Sequence, residues 1–189
     1  MPAVVWTGDV LNWPEERTDQ ELIGAANAGE ASAFECLYFR YRDWVVNLAY
    51  RFTADREVAL DILQEAFLYL LKKFPGFTLT CQMKSFLYPV VKHLALNALA
   101  KTKRFESGDD LFEALEAPGT VPAEHEALRA AVSKLPSQQR ETVMLRFMEG
   151  FDLGEIAAAL EVPVGTVKSR LHHALEGLRR NPTLREYFD

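Results

Sequence analysis

The sequence predicts an all-α protein made of two small helical domains joined by a flexible acidic linker. Apolar residues recur at helical rather than alternating spacing from residue 19 to residue 178. Residues 106–126 carry Glu106, Asp109, Asp110, Glu113, Glu116, Glu124 and Glu126 with no Lys or Arg, and include the run Ala117-Pro-Gly-Thr-Val-Pro122. That composition reads as a linker. A chain of 189 residues, 49% apolar and 25% charged, can bury one core or two small ones. The expected organisation is an arm at 1–17, a first domain at 18–104, the linker at 105–123, a second domain at 124–181 and a tail at 182–189.

In the first domain, Thr18 or Asp19 caps a short helix through residue 28, with Leu22, Ile23 and Ala26 inward. Ser32 is the expected cap of a second helix of about five turns, whose stripe is Phe34, Leu37, Tyr38, Tyr41, Val45, Leu48 and Phe52. A third helix is expected over 56–74, burying Val58, Ile62, Leu63, Ala66, Phe67 and Leu70. Its other face shows Glu57, Asp61, Gln64, Glu65 and Leu68. Asp61 and Glu65 repel at i, i+4 by a few tenths of a kcal/mol in an isolated helix; a basic partner would recover that cost.

The turn-rich loop Pro75-Gly76-Phe77-Thr78 leads to a fourth helix over 86–103, with Leu87, Val91, Leu94 and Ala98 inward. Proline is tolerated only in a first turn, so Pro89 places the helix start near residues 86–88 or kinks it. Between Glu65 and Glu106 there is no acid, while Lys72, Lys73, Lys84, Lys92, Lys101, Lys103 and Arg104 all fall inside. Tyr88, His93 and Asn97 share the outer surface of this helix with Lys84, Lys92 and Lys101. Cations interleaved with Phe77, Phe86 and Tyr88 suit single-stranded nucleic acid, each stacked base contributing about 1–3 kcal/mol. The structural alternative is that these aromatics, near helix ends, belong to the core.

In the second domain, Asp152 caps a helix of about three turns, Glu155 completes the capping box, and Leu153, Ile156, Ala157 and Leu160 form one stripe. After Val162-Pro163, Gly165 lets the chain turn tightly. A second helix runs from Thr166 with Val167, Leu171, Ala174, Leu175 and Leu178 inward. Thr166, Lys168, Ser169, Arg170, His172 and His173 remain on its polar faces, and residues 162–175 contain no acid. Although the chain's net charge is −6, this local absence of carboxylates suits a polyanion. The pattern is a helix-turn-helix that presents its second helix to duplex DNA.

Together these residues resemble the extracytoplasmic-function (ECF) sigma factors of bacteria. The resemblance rests on Asp19 with Leu22; Gly29-Glu30 with Ala33-Phe34 and Leu37; Ala59, Asp61, Gln64-Glu65 and Phe67; Phe86-Leu87, Asn97 and Arg104; Leu135-Pro136 with Arg140; Glu155-Ile156-Ala157; and Gly165-Thr166-Val167-Lys168-Ser169-Arg170-Leu171. It implies a sigma region 2 domain of four helices and a sigma region 4 helix-turn-helix domain. Glu57, Asp61, Gln64, Glu65 and Leu68 would dock on the β′ coiled coil of core RNA polymerase. Phe77, Lys84, Phe86, Tyr88, Lys92, His93, Asn97, Lys101 and Arg104 would open and hold the minus-10 element. Thr166, Lys168, Ser169, Arg170, His172 and His173 would read the minus-35 duplex, and apolar surface on a helix over 137–148 would meet the β flap. Two weak contacts on one polymerase act at high effective concentration.

The pattern has departures. Phe86 stands where the family usually has Trp, Pro89 interrupts the fourth helix, Glu161 replaces the glycine of the turn, and His173 replaces a common arginine, an imidazole being a weaker phosphate contact. Trp6 and Trp13 suggest that the arm packs on the first domain or on a partner. The tail is short, so control is expected from an anti-sigma protein. A dimeric helix-turn-helix regulator acting without polymerase is the alternative.

Cys36 and Cys81 form no metal-binding spacing, and no nucleophile, base and orienting group can be assembled. No cofactor, metal or enzymatic activity is therefore expected. Without a signal pattern or an apolar run near the roughly 20 residues of a span, the expected location is the cytoplasm, with no membrane insertion.

Overall fold

The computed structural model describes residues 16–102, 123–182 and 184. The described residues form eight α-helices and no strand, in the order α1 (Asp19–Asn27), α2 (Ala31–Thr53), α3 (Arg56–Leu71), α4 (Met83–Thr102), α5 (Ala123–Ser133), α6 (Ser137–Phe147), α7 (Leu153–Leu160) and α8 (Val164–Arg179). Residues 1–15 of the arm and residues 103–122, which hold Arg104 and nearly all of the acidic linker, lie outside the described residues.

Helix α1 begins as its sequence demands. The Thr18 hydroxyl accepts from the Glu21 N–H, and the Glu21 carboxylate accepts from the Thr18 N–H, so two orphan donors are satisfied reciprocally. Asp19 ties α1 to α2, accepting from Arg40 at 2.6 Å and from the Tyr41 hydroxyl. Burial of the phenol, then that hydrogen bond, push the Tyr41 pKa far up. Ser32 is not the α2 cap. It lies inside the helix, whose N-cap is Glu30, and its hydroxyl donates to the Glu30 carboxylate.

Asp55 caps α3, accepting from the N–H groups of Glu57 and Val58. The helix ends three residues before the expected position 74. Lys73 and Phe74 donate to Leu70 and Leu71, a tighter i to i−3 pattern, and the following Pro75 disfavours helical backbone at Phe74. Leu22, Leu37, Val45, Leu70, Met83, Leu87 and Val91 are fully buried among α1–α4.

Helix α4 departs most from expectation. It starts at Met83, the Phe86 N–H bonds to the Gln82 carbonyl, and Pro89 lies in the interior. Pro89 has no N–H to give the Ser85 carbonyl. Burial of Met83 and Leu87 against α2 and α3 holds the first turns in place despite that loss.

In the second half, α6, α7 and α8 pack around Leu145, Ile156 and Val167, each 0–1% exposed. The Asp152/Glu155 capping box forms as expected. Helix α7 is eight residues, about two turns rather than three. It stops because Glu161 adopts left-handed backbone at φ 53°. Gly165, the expected turn residue, instead lies in the first turn of α8, which Pro163 precedes.

The halves also pack on each other. Helix α4 lies against α7, Trp44 of α2 stacks on Phe151 at 6.4 Å and 21°, and Phe151 is 2% exposed.

Candidate nucleic-acid interface

The start of α8 exposes Lys168 and Ser169 to solvent. Thr166 and Arg170 are half-buried, and Arg170 donates to the Gln138 side chain at 2.8 Å, bracing α8 against α6. His172 and His173 are exposed, and both face Glu176, at 3.8 and 3.9 Å. Glu176 also lies 3.7 Å from Arg180. The donor atoms of His172, His173 and Glu176 fall within 4.8 Å of one another, a grouping that the acid-free count over residues 162–175 misses by stopping one residue short. Lys168 and Ser169 are thus the least encumbered members of the expected set.

On α4 the expected set divides. His93, Asn97 and Lys101 are exposed and repeat at i, i+4 and i+8, a single stripe along the helix. Asn97 Nδ2 and His93 Nε2 lie 3.0 Å apart. Lys84 is half-buried with its ammonium 5.7 Å from the Trp44 ring centroid. The aromatics go inward, the structural alternative in the sequence reading. Phe77 is 8% exposed and packs on Phe74 and Phe86. Phe86 is half-buried against Tyr69.

Tyr88, expected on the outer surface, is 3% exposed. Its hydroxyl donates to Glu141 of α6 at 2.6 Å, and its ring meets Phe52 and Phe151. Burial first, then the Glu141 charge, raise its pKa well above the ordinary value. Lys92 is half-buried, with its ammonium 2.5 Å from the same carboxylate. The inward turn has a visible cause. Residues 86–96 read Phe-Leu-Tyr-Pro-Val-Val-Lys-His-Leu-Ala-Leu, apolar nearly all round, as a helix covered on two sides must be. Reading one apolar stripe there left Tyr88 on the wrong face.

The outer face of α3 matches expectation. Glu57, Asp61, Gln64, Glu65 and Leu68 are all exposed. Leu60, Tyr69 and Leu71 join them at 41%, 42% and 48% exposure, making the surface mixed acidic and apolar. The signal was present, since α3 carries more large apolar residues than its core stripe can hold. At the end of α6, the neighbouring apolar side chains of Phe147 and Met148 are exposed at 63% and 56%.

Comparison with known proteins agrees in both halves. Residues 37–105 match the family Sigma-70 region 2, and residues 125–178 match Sigma-70, region 4. The chain is 28% identical to the RNA polymerase sigma-H factor of Pseudomonas aeruginosa, over 90% of this chain and 98% of that one. It is 27% identical to the ECF RNA polymerase sigma factor SigW of Bacillus subtilis, over 85% and 95%. It is 29% identical to the ECF RNA polymerase sigma-E factor of Escherichia coli K12, over 87% and 94%. Among solved structures, CnrH in complex with the cytosolic domain of CnrY shares the fold, with a TM-score of 0.60 at 19% identity over 84% of this chain and 93% of that one. So does the sigma factor RpoE of Bartonella quintana in complex with the anti-sigma factor NepR, with a TM-score of 0.56 at 20% identity over 80% and 96%.

Proposed function

Because the chain belongs to the sigma-70 family, as a sigma factor of the ECF group, we propose that it joins core RNA polymerase and directs it to promoters. The observation that carries this is the order of surfaces along one chain: an acidic and apolar α3 face, a polar α4 stripe free of carboxylates, and a helix-turn-helix with a cationic start. The α3 face, Glu57, Asp61, Gln64, Glu65 and Leu68, docks on the β′ coiled coil. Phe147 and Met148 dock on the β flap. His93, Asn97 and Lys101, with Lys84, Lys92 and Arg104, track the backbone of the opened minus-10 strand. Lys168 and Ser169, supported by Thr166 and Arg170, reach the minus-35 duplex in the major groove.

Phe86 is the aromatic nearest the strand, as Phe77 and Tyr88 are packed inside. The helix-turn-helix alone would also suit a regulator that dimerises through its first domain, but the match of that domain to Sigma-70 region 2 favours polymerase as its partner. An anti-sigma protein that covers these surfaces is the partner proposed for control.

The test is transcription in vitro with the protein, sigma-free core polymerase and a fragmented bacterial genomic library. New start sites that share two spaced motifs are expected. Their absence, with the protein shifting duplex DNA alone as a dimer, would replace this reading with the regulator.

A further inference from the structure

Three side chains with metal-ligating atoms gather on α8, one turn beyond its cationic start. His172 Nε2 lies 3.8 Å, and His173 Nδ1 3.9 Å, from the same Glu176 oxygen, Oε2. The other oxygen, Oε1, lies 3.7 Å from Arg180, which holds the carboxylate from behind. Neighbouring side chains on a helix lie about 100° apart, so His172 and His173 alone diverge. Glu176, at i+4 from one and i+3 from the other, projects between them and closes the group. Val167, Leu171, Ala174 and Leu178 are buried, which fixes the stretch of backbone that carries all three ligands. Only side-chain rotamers at the surface are left to adjust.

We propose that His172, His173 and Glu176 form a site for a divalent transition-metal ion, Zn2+ by its donor set, and that the bound ion strengthens the hold of α8 on duplex DNA. Two imidazoles and one carboxylate suit Zn2+, with water in the fourth position; Mg2+ and Ca2+ prefer oxygen throughout. A tetrahedral zinc site needs ligand atoms about 3.3 Å apart, and the two separations here exceed that by roughly half an ångström. Small rotations of surface side chains cover that distance. Arg180 stands outside the ligands, as a partner for the carboxylate's second oxygen. The effect on DNA follows from charge and place. His172 and His173 follow Lys168 and Ser169 at i+4, about 6 Å along the axis, and all four are exposed. Glu176 is the first acid after residue 161, and without an ion it sets a negative charge beside this surface. With an ion the same spot carries a net positive charge, a change of two units facing a polyanion. The effect on DNA rests on the helix-turn-helix of the sigma-factor reading; the ion site does not.

The test uses the full-length protein, stripped of metal with a chelator, and Zn2+ as the probe. Competition against a chromophoric zinc indicator should show an ion held by the wild type that H172Q, H173Q and E176Q each bind at least about tenfold more weakly. Far-UV circular dichroism checks that every variant stays helical. E176H places a third imidazole at i+4 from His172 and should bind Zn2+ at least as tightly as the wild type, whereas a surface that merely attracts cations would fail in E176H as in E176Q. Excess Mg2+ should not displace the ion. Equal zinc affinity in the wild type and the three Gln variants, displacement by Mg2+, or loss of binding in E176H would overturn the site. Fluorescence anisotropy on a duplex oligonucleotide then compares each protein with and without Zn2+. Zinc should tighten duplex binding by the wild type about fivefold and leave that of E176Q unchanged. A wild type that holds zinc with no change in duplex affinity would overturn the effect on DNA. The zinc titration uses neither polymerase nor promoter, so failure of the ion site and failure of the sigma reading are told apart.

Discussion

Asn27 grips Phe77 from both sides of its peptide: Asn27 Nδ2 donates to the Phe77 carbonyl at 2.8 Å, and Asn27 Oδ1 accepts from the Phe77 N–H at 3.1 Å. The same oxygen accepts from the Gly76 N–H at 2.6 Å. One side chain at the end of α1 thereby fixes the loop that enters α4, and the Phe77 ring follows it into the core.

Replacing Asn27 by Ala removes two hydrogen bonds to the partly buried Phe77 backbone and one to the exposed Gly76 N–H. A loss of about 1–3 kcal/mol in the unfolding free energy is expected from groups left without partners, measured by urea titration. Promoter opening, followed with a fluorescent base analogue in the minus-10 strand, should slow in the same variant even where it remains folded.

Lys168→Ala should weaken minus-35 binding across sequences and reduce the slope of log affinity against log salt by about one, as loss of a single phosphate contact does. Arg170→Ala should weaken binding too, but with some loss of stability, because it also gives up Gln138. Fluorescence anisotropy on a duplex at several salt concentrations separates the two.

Asp61→Arg with Glu65→Arg changes two exposed positions, so folding stability should move by no more than about 0.5 kcal/mol. Capture by core polymerase should nevertheless be lost, and DNA binding by the free protein preserved. Failure of both functions together would refute the division of surfaces.

Glu161 holds left-handed backbone at φ 53°, which costs a non-glycine residue roughly 1–2 kcal/mol. Glu161→Gly should therefore raise the melting temperature, and Gly150→Ala, at φ 74°, should lower it. Calorimetry on both variants checks the sign in each direction.

Tyr88 gives a pH dependence. Its folded-state pKa is raised, by burial and then by Glu141, above the ordinary value of about 10. A raised pKa means that the folded chain holds the proton more tightly than the unfolded one. The advantage is complete below about pH 10 and declines as pH rises past it. The unfolding free energy should be flat from about pH 7 to 9 and fall beyond 10, and Tyr88→Phe should lose part of that alkaline step.

Local rules in the sequence sufficed wherever the structure is local. The Thr18/Glu21 and Asp152/Glu155 boxes need only a three-residue spacing, and the buried stripe of α3 needs only a helical period. The α8 start and the α3 outer face were legible for the same reason. What was hidden depends on partners distant in sequence. Glu141 and Glu149 look like solvated charges until Lys92 and Arg51 are brought to them from about 50 and 100 residues away. Tyr88 looked outward because a helix covered twice has no outer face there. Backbone freedom alone favours Gly165 for the turn, whereas the family resemblance puts Glu161 at the turn's glycine position, and it is Glu161 that has left-handed backbone.

Trp44 is the only tryptophan among the described residues, and its indole is clamped between Phe151 and the Glu149 carboxylate. The protein thus carries its own optical gauge. With Trp6 and Trp13 replaced by Phe, emission would come from Trp44 alone, and any event that parts the domains would wet the ring. A red shift and easier quenching by acrylamide would then report, without a dye, any loosening of the packing between the two halves of the free protein.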